Sequence, residues 1–191
     1  LFSSVVPNEF NIIKKFIKKK LKIEVKELKQ INLRKILTVE VNMKQVGSDR
    51  LANAISAING KDNFIILDFG TATTFDVVLK NRYKGGIIAP GVNLSLKTLV
   101  EKAKLIPNTK LTKIKDIIGK NTQNAVRSGF YWGYQGLIEN IINLIKRKNK
   151  KNFKIILTGG LSYLYKDTLK NKPKVDRDLT IKGLLRLIDL I

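Results

Sequence analysis

One stretch of this sequence, from Phe64 to Gly91, constrains the possible folds of the chain more than any other. It begins with a short apolar run that is rich in strand-forming residues and carries Asp68 at its end, with Gly70 just behind. Three strands are predicted within it: Phe64 to Phe69, Thr73 to Leu79 and Tyr83 to Ile88, with a turn at Asn81-Arg82. We therefore predict a β-meander that presents a carboxylate and small residues at its first bend.

The residues of this bend suit a phosphate group. Gly70 has no side chain, so main-chain N–H groups can approach an anion closely, and Asp68 could bind a cation that the phosphates also contact. Hydroxyl donors are supplied by Thr71, Thr73 and Thr74. Gly85-Gly86 and Pro90-Gly91 mark two further places where backbone lines the same end of the sheet. The alternative is that D-F-G-T is only the end of a strand and a tight turn.

The composition excludes several kinds of chemistry. The chain contains no cysteine and no histidine, which leaves carboxylates, lysine, tyrosine and hydroxyl groups for acid-base work. It has no apolar run approaching the roughly 18 residues of a membrane span, and no signal-peptide pattern. We therefore expect a cytoplasmic protein without a membrane partner.

The net charge of +22, from 37 basic and 15 acidic residues, is large for 191 residues. Such a balance suggests nucleic acid, an anionic membrane or an acidic substrate as a partner. The lysines are, however, spread along the whole chain among many Ile and Asn residues, which is more typical of a biased composition than of a binding patch. Nucleic acid is therefore kept as the less favoured alternative.

Apolar spacing and turn residues predict the other elements. Helices are expected at Pro7 to Leu21, from Ser48 to Ile58, at Val92 to Lys104, from Thr122 to about Arg147 and at Leu179 to Ile191. Further strands are expected at Ile23 to Leu28, Ile36 to Val41 and Phe153 to Leu157. Leu1 to Val6 is typical of the end of a buried strand and not of a natural start, so we expect a fragment or a shortened product.

The segment Gly47-Ser48-Asp49-Arg50 lies at a predicted helix start. An acid in the first turn faces the positive end of the helix, so helix capping alone could explain Asp49. Arg50 offers a planar fork for a carboxylate or phosphate of a substrate. Taken alone, the segment does not distinguish a helix cap from a binding site.

The long predicted helix carries small residues on one face. Ala125, Gly129, Gly133 and Gly136 recur at steps of four, four and three. Each glycine inside a helix costs about 0.5 to 1 kcal/mol relative to alanine. We therefore expect another backbone to pack closely on this face, from a helix of the same chain or of a second subunit.

Six segments of the chain, taken together, resemble one known family. They read S-S-V-V-P from Ser3, G-S-D-R from Gly47, D-F-G-T-A-T-T from Asp68, G-G-I-I-A-P-G from Gly85, I-G-K-N-T from Ile118 and T-G-G from Thr158. In this order and spacing, which cover essentially the whole chain, the sequence resembles a type III pantothenate kinase of the acetate and sugar kinase, Hsc70 and actin superfamily.

The resemblance implies an α/β protein with a duplicated ribonuclease H-like (actin-like ATPase) fold whose N-terminal domain is incomplete. Residues 1–62 would be the remainder of the N-terminal domain, and residues 63–191 the C-terminal domain. It also implies ATP-dependent phosphorylation of pantothenate to 4'-phosphopantothenate, the first step of coenzyme A biosynthesis. The cofactors implied are ATP with Mg2+ and a monovalent cation, and the assembly implied is a homodimer with shared active sites.

The resemblance also implies roles for individual residues. Asp49 matches the general base, and Asp68 matches the ligand of a monovalent cation, K+ or NH4+. The implied pantothenate-binding positions are Gly47, Ser48, Asp49, Arg50 and Thr122. The implied ATP-binding positions are Gly70, Thr71, Thr158, Gly159 and Gly160.

The sequence departs from the family pattern at two places. Nothing in it matches the N-terminal D-x-G-N-T turn that grips the ATP phosphates. The Y-x-N-P segment of the family reads Glu40-Val41-Asn42-Met43 here, so a negative charge stands where the family has a substrate-contacting tyrosine. Two alternatives to an active kinase stay open: a transcriptional accessory factor of the same family that binds nucleic acid, and a truncated copy without catalysis.

Overall fold

The computed structural model describes residues 1–4, 6–170 and 172–190. Its strands are β1 (Thr38–Val39), β2 (Asn63–Phe69), β3 (Ala72–Leu79), β4 (Arg82–Pro90), β5 (Lys154–Gly159) and β6 (Lys174–Val175). They form a sheet in the order β1-β4-β3-β2-β5-β6, in which β1 pairs in parallel with β4, and β5 in parallel with β6.

Helices complete the predicted α/β architecture. They are α1 (Pro7–Leu21), α2 (Ser48–Ala57), α3 (Val92–Lys102), α4 (Thr122–Asn149), α5 (Ser162–Tyr165) and α6 (Leu179–Ile188). Three single-turn 3-10 helices lie at Leu28–Gln30, Leu33–Lys35 and Met43–Gln45. None of the helices in the described ranges is long and apolar enough to cross a membrane.

The predicted β-meander is confirmed. β2, β3 and β4 are neighbours in the chain and in the sheet, and two residues connect each pair: Gly70-Thr71 and Lys80-Asn81. The second turn lies one residue earlier than predicted, because Lys80 adopts a positive φ of 55° and Arg82 already belongs to β4. β2 lies inside the sheet, and its four residues from Phe64 to Leu67 are all buried.

The strand predicted at Ile23 to Leu28 is wrong. In the part of the chain that the structure describes, this run has a single β-bridge, between Glu27 and Phe2. The chain then turns because the Glu27 carboxylate accepts from the N–H of Lys29 at 2.7 Å, while the Gln30 side chain accepts from the N–H of Glu27 at 3.0 Å. This capping box stabilises a 3-10 helix where extended structure was expected.

The neighbouring strand predictions are corrected in the same way. Ile36 to Val41 forms a strand only at Thr38–Val39, because the Asn42 side chain accepts from the N–H of Lys44 at 3.1 Å and starts a 3-10 helix. Of the strand end predicted at Leu1 to Val6, only the bridge at Phe2 is found, and Val5 lies outside the described residues.

The described chain divides into two compact units by its contacts. The first comprises the described residues of 1–64, 76–85 and 178–191, and the second comprises those of 65–75 and 86–177. The predicted division of a duplicated fold after residue 62 stays a prediction.

Helix α6 packs closely against helix α2 in the first unit. A Cβ atom on Gly183 would overlap with the carbonyl oxygen of Ala52, so only glycine allows the two helices to lie this close. Nη1 of Arg186 donates to the carbonyl oxygen of Ile55 at 2.9 Å and to that of Ile58. These bonds satisfy carbonyl groups at the C-terminus of α2 that have no partner within the helix.

Helix α4 of the second unit begins at Thr122, as predicted, and it is capped by Asn121, whose Oδ1 accepts from the N–H of Asn124 at 2.8 Å. Its glycines, however, face open space. A Cβ atom on Gly129, Gly133 or Gly136 would meet no atom of the described chain within 4 Å. A helix of the same chain therefore does not supply the expected neighbour within these residues, and a second subunit stays a prediction.

Candidate active site

Three glycine-containing turns of the second unit meet at the bend between β2 and β3. A Cβ atom on Gly91 would overlap with the carbonyl oxygen of Thr71 and lie 2.9 Å from that of Gly70. A Cβ atom on Gly159, which has a φ of 82°, would lie 2.6 Å from Oδ1 of Asp68. The motifs D-F-G-T, A-P-G and T-G-G, which are far apart in the sequence, are therefore in direct contact.

The bend itself is stabilised from within. The N–H of Gly70 donates to the carbonyl oxygen of Ala72 at 3.1 Å, so this peptide group closes the turn. Thr71 is exposed and its hydroxyl can reach a ligand, whereas Thr73 is fully buried in β3. The hydroxyls of Thr73 and Thr74 have no hydrogen-bond partner among the described residues. Of the three threonine donors predicted for phosphate, only Thr71 thus lies on the surface.

The T-G-G turn is held by the short helix α5, which sequence analysis did not predict. Oγ of Ser162 donates to the carbonyl oxygen of Gly159 at 2.8 Å, and the ring of Tyr165 stacks on that of Phe69 at 5.3 Å between centroids. Thr158 is buried at the end of β5, so the exposed residue of this turn is Gly160. A hydroxyl shortly after a Gly-Gly pair is the sequence signal that could have predicted the contact of Ser162.

The chemistry of this site fits a phosphate with an associated cation. It combines a half-buried carboxylate at Asp68, the exposed hydroxyl of Thr71, and two exposed glycines, Gly70 and Gly160, at which ligand atoms can approach the backbone closely. Oxygen ligands of this kind are those that hard cations prefer.

The segment Gly47-Ser48-Asp49-Arg50 starts helix α2 in the first unit, as predicted, with Gly47 as the N-cap residue. Ser48 is fully buried, its hydroxyl donates to the Glu27 carboxylate, and it lies 3.3 Å from the carbonyl oxygen of Ser4. Ser48, which was predicted to bind substrate, thus lies on the buried side of the segment. There it connects α2 to the chain around Glu27.

Asp49 is half-buried and lies in the first turn of α2, two residues after the N-cap residue Gly47. The N-cap residue itself makes no side-chain hydrogen bond to the helix, and Oδ1 of Asp49 instead accepts from the N–H of Arg50 at 2.8 Å. The carboxylate therefore lies in the first turn, where the helix dipole favours a negative charge. Because the N–H of Arg50 has no acceptor within the helix, its bond to Asp49 and the helix dipole both support the capping explanation that the sequence left open.

Arg50 forms a buried network with two residues that sequence analysis missed. Oδ1 of Asp76 lies 2.8 Å from Nε and 2.7 Å from Nη2 of Arg50, and it accepts from the hydroxyl of Tyr83 at 2.5 Å. Burial raises the pKa of Asp76, although Arg50 and Tyr83 act in the opposite direction. Burial and the neighbouring Asp76 raise the pKa of Tyr83 as well. The sequence signal that could have pointed to this network is the single acidic residue within the predicted strand β3.

The negative charge of Glu40, at the position of the family tyrosine, is paired with positive charges. Its carboxylate forms ion pairs with Lys84 and Arg82 on β4. The hydrogen bond from Lys84, together with that from Arg82, lowers the pKa of Glu40. The repulsion that an acidic residue would exert on an anionic substrate is therefore offset by two cations.

The loop before α4 presents Thr122 at the surface of the second unit. A Cβ atom on Gly119 would overlap with the backbone of Ala125, and the hydroxyl of Ser128 donates to the carbonyl oxygen of Ile117. The loop is thereby packed against the first turns of the helix, and Thr122 is left exposed at its N-terminus.

Solved structures with this fold define the class. The chain superposes with a TM-score of 0.64 on a protein assigned to the Baf family of transcriptional activators from Campylobacter jejuni, at 20% identity over 94% of this chain and 78% of that one. A TM-score of 0.53 relates it to a 2-dehydro-3-deoxygalactonokinase from Sinorhizobium meliloti, at 10% identity over 75% of this chain and 57% of that one. At these identities the likeness shows the fold alone. That fold is the predicted one, shared by sugar kinases and actin-like ATPases.

Sequence relatives narrow this class to one family. A profile of the type III pantothenate kinase family matches residues 1–144, and a type III pantothenate kinase from Pelagibacter ubique is 61% identical over all 191 residues, which span 77% of that protein. The chain belongs to the type III pantothenate kinase family. It spans about 55% of the length of other curated relatives, such as that of Cereibacter sphaeroides.

Family membership confirms the predicted enzyme class, a kinase that phosphorylates pantothenate with ATP in the first step of coenzyme A biosynthesis. The alternative of a transcriptional accessory factor is not favoured, because the relatives with high identity are named as kinases.

A pair of neighbouring glycines tests the close approach at the bend. Gly159→Ala should lower the melting temperature and weaken ATP binding, because its Cβ would meet Asp68 and its φ is positive. Gly160→Ala is the matched control, since its Cβ would meet nothing within 4 Å in the described chain and should leave the melting temperature near that of the parent. Thermal unfolding of both variants measures the difference, and equal melting temperatures would contradict the described packing.

Proposed function

We propose that this chain transfers the γ-phosphoryl group of ATP to the primary hydroxyl of pantothenate. The observation that carries the proposal is the contact of three glycine turns at Asp68 and Thr71 in the second unit. Such turns suit phosphate groups, because main-chain atoms can approach the oxygens without steric conflict. The sequence relatives named as pantothenate kinases support the identity of the acceptor.

In this proposal Gly70, Thr71, Thr158, Gly159 and Gly160 hold ATP. Thr71 donates its exposed hydroxyl to a phosphate oxygen, Gly160 allows the nucleotide to approach the backbone, and Gly159 allows the turn to pack against Asp68. Mg2+ enters with ATP and, when bound, neutralises charge on the phosphates. Buried Thr158 supports the turn and does not contact the ligand through an exposed side chain.

Pantothenate is held in this proposal by the segment from Gly47 to Arg50 and by Thr122. Asp49 accepts the proton of the pantothenate hydroxyl while the new bond from oxygen to the γ-phosphorus forms and the bond from that phosphorus to the β–γ bridging oxygen breaks. ADP is the leaving group. Asp49 suits the role because the chain has no histidine and because this half-buried carboxylate lies in the first turn of α2, next to Arg50.

Replacement of the proposed base tests this assignment in the full-length protein. Asp49→Asn should lower kcat by about 100- to 10,000-fold, because it removes the proposed base. The loss is not larger because phosphoryl transfer also depends on positioning and charge neutralisation. Asp189→Asn, at the C-terminal end of α6, is the matched control and should leave kcat unchanged. A variant that turns over within a few-fold of the parent, or that unfolds, would refute the role of Asp49 as base.

We also propose that Asp68 binds a monovalent cation, K+ or NH4+. Its half-buried carboxylate, next to a phosphate-binding bend, provides the oxygen chemistry that such a cation prefers. The rate of phosphorylation should then increase steeply when K+ replaces Na+ at constant ionic strength. Steady-state kinetics in the two salts measures this, and equal rates would leave Asp68 with a structural role only.

A homodimer forms the last part of the proposal. The exposed face of α4 with Gly129, Gly133 and Gly136 lies beside an apolar groove of about 450 Å3 in the same unit. The groove is lined by Leu99, Ile106, Val126, Phe130 and Tyr134, together with Thr122, Ala125 and Gly129. A second copy of the chain that packs α4 here would bring its backbone close to the glycines and would lie beside Thr122.

A bulky residue on the glycine face tests the dimer. Gly133→Leu should shift the mass of the full-length protein toward the monomer, because the side chain separates the facing helices. It should not unfold the subunit, since a Cβ atom here meets nothing within 4 Å in the described chain and leucine favours helix more than glycine does. Light scattering and circular dichroism measure the two effects. A monomeric parent protein would contradict the proposed dimer.

A further inference from the structure

We infer that Asp76 and Tyr83 are positioning residues that hold Arg50 in the orientation in which it binds the substrate anion. The inference rests on the proposed function, which places Arg50 in the pantothenate-binding segment. All three residues belong to the first unit, with Arg50 on α2, Asp76 on β3 and Tyr83 on β4.

A single carboxylate oxygen organises the network. Oδ1 of Asp76 lies 2.8 Å from Nε and 2.7 Å from Nη2 of Arg50, and it accepts a hydrogen bond from the hydroxyl of Tyr83 at 2.5 Å. Nε and Nη2 form one edge of the planar guanidinium group, so this edge is engaged by Asp76. A ligand can therefore be bound only through Nη1 and the remaining N–H of Nη2. The direction in which Arg50 donates is fixed by the position of one oxygen atom.

Burial separates the residue that meets the ligand from those that orient it. The side chain of Asp76 is fully buried, whereas that of Arg50 is 12% exposed. Tyr83 is also fully buried. A substrate in solution can thus contact Arg50 but neither of the other two residues, which excludes a direct catalytic role for Asp76 and Tyr83 in this conformation.

The strands that carry Asp76 and Tyr83 make the support rigid. β3 and β4 are adjacent in the sheet, so the carboxylate and the phenol lie on neighbouring strands whose backbones are fixed by pairing. The second carboxylate oxygen, Oδ2, has no hydrogen-bond partner among the described residues, so the described bonds to this group all act on Oδ1. Loss of the Tyr83 hydroxyl would remove the bond that fixes the rotation of the carboxylate independently of Arg50.

A double-mutant cycle on the full-length protein tests the inference. The variants are Tyr83→Phe, Arg50→Lys and the combination of both, and the readouts are kcat, KM for pantothenate and KM for ATP. Calorimetric titration with pantothenate adds a binding measurement that does not require turnover. Tyr131→Phe, a buried tyrosine of α4 outside the network, is the matched control.

The expected result is specific to pantothenate. Tyr83→Phe should raise KM for pantothenate about 2- to 10-fold, the effect of one hydrogen bond, and should leave KM for ATP unchanged. Arg50→Lys should raise KM for pantothenate about 10-fold or more, because lysine keeps the charge but loses the planar fork. In the Arg50→Lys background, Tyr83→Phe should have no further effect on KM, since its influence passes through the guanidinium.

Two results would overturn the inference and can be told apart. In the first, Arg50→Lys raises KM for pantothenate, but Tyr83→Phe either changes only the melting temperature or raises KM by the same factor in the Arg50→Lys background. Tyr83 and Asp76 then do not position Arg50, while the proposed function stands. If Arg50→Lys leaves both KM and the calorimetric affinity for pantothenate unchanged, then the proposed substrate role of Arg50 fails, and the inference fails with it. Asp76→Asn is expected to act in the same direction as Tyr83→Phe but also to lower stability, because it leaves buried Arg50 without its counter-charge.

Discussion

The close approach of backbone segments at the bend between β2 and β3 is the constraint on which the second unit depends. Gly91 and Gly159 each stand where a single extra carbon atom would collide with the residues of the bend. Glycine loses more conformational entropy on folding than any other residue, so its use here has a free-energy cost of its own. The same absence of side chains is what a phosphate-binding turn requires. Gly91 and Gly159 meet the demand of packing, whereas the exposed Gly70 and Gly160 leave the backbone open to the proposed ligand.

The first unit depends more on the pairing of its few acidic residues. In a chain of 37 basic and 15 acidic residues, Asp76 of this unit is bonded to Arg50, Glu40 to Arg82 and Lys84, and Glu27 to the hydroxyl of Ser48. Each of these carboxylates connects segments that are far apart in the chain. A neutral pair such as Arg50 and Asp76 also limits the electrostatic attraction of Arg50 for an anion, so its contribution to binding comes from direction as much as from charge.

The sequence was informative where local signals and tertiary structure agree. β2 to β4 and α4 were predicted almost to their bounds, because apolar runs are separated there by turn residues. The strand at Ile23 to Leu28 was predicted wrongly, since side-chain caps from Glu27 and Gln30 outweighed the apolar composition. The network around Asp76 could not be predicted, because its partners lie 26 and 7 residues away and meet only through the placement of α2 and β4. The six motifs were found because each is local, whereas the contacts among their glycines are not.

The packing of α6 against α2 affects how the chain folds during its synthesis. Arg186 and Ile55 are separated by 131 residues, so the helix that begins with Gly47 to Arg50 emerges from the ribosome long before its partner exists. At about 5 to 20 residues per second, the delay is roughly 7 to 26 s. During this interval the apolar face of α2 lacks the helix that covers it, and the nascent chain offers that face to chaperones or to proteases. The proposed substrate segment therefore reaches its described packing only after α6 has been synthesised.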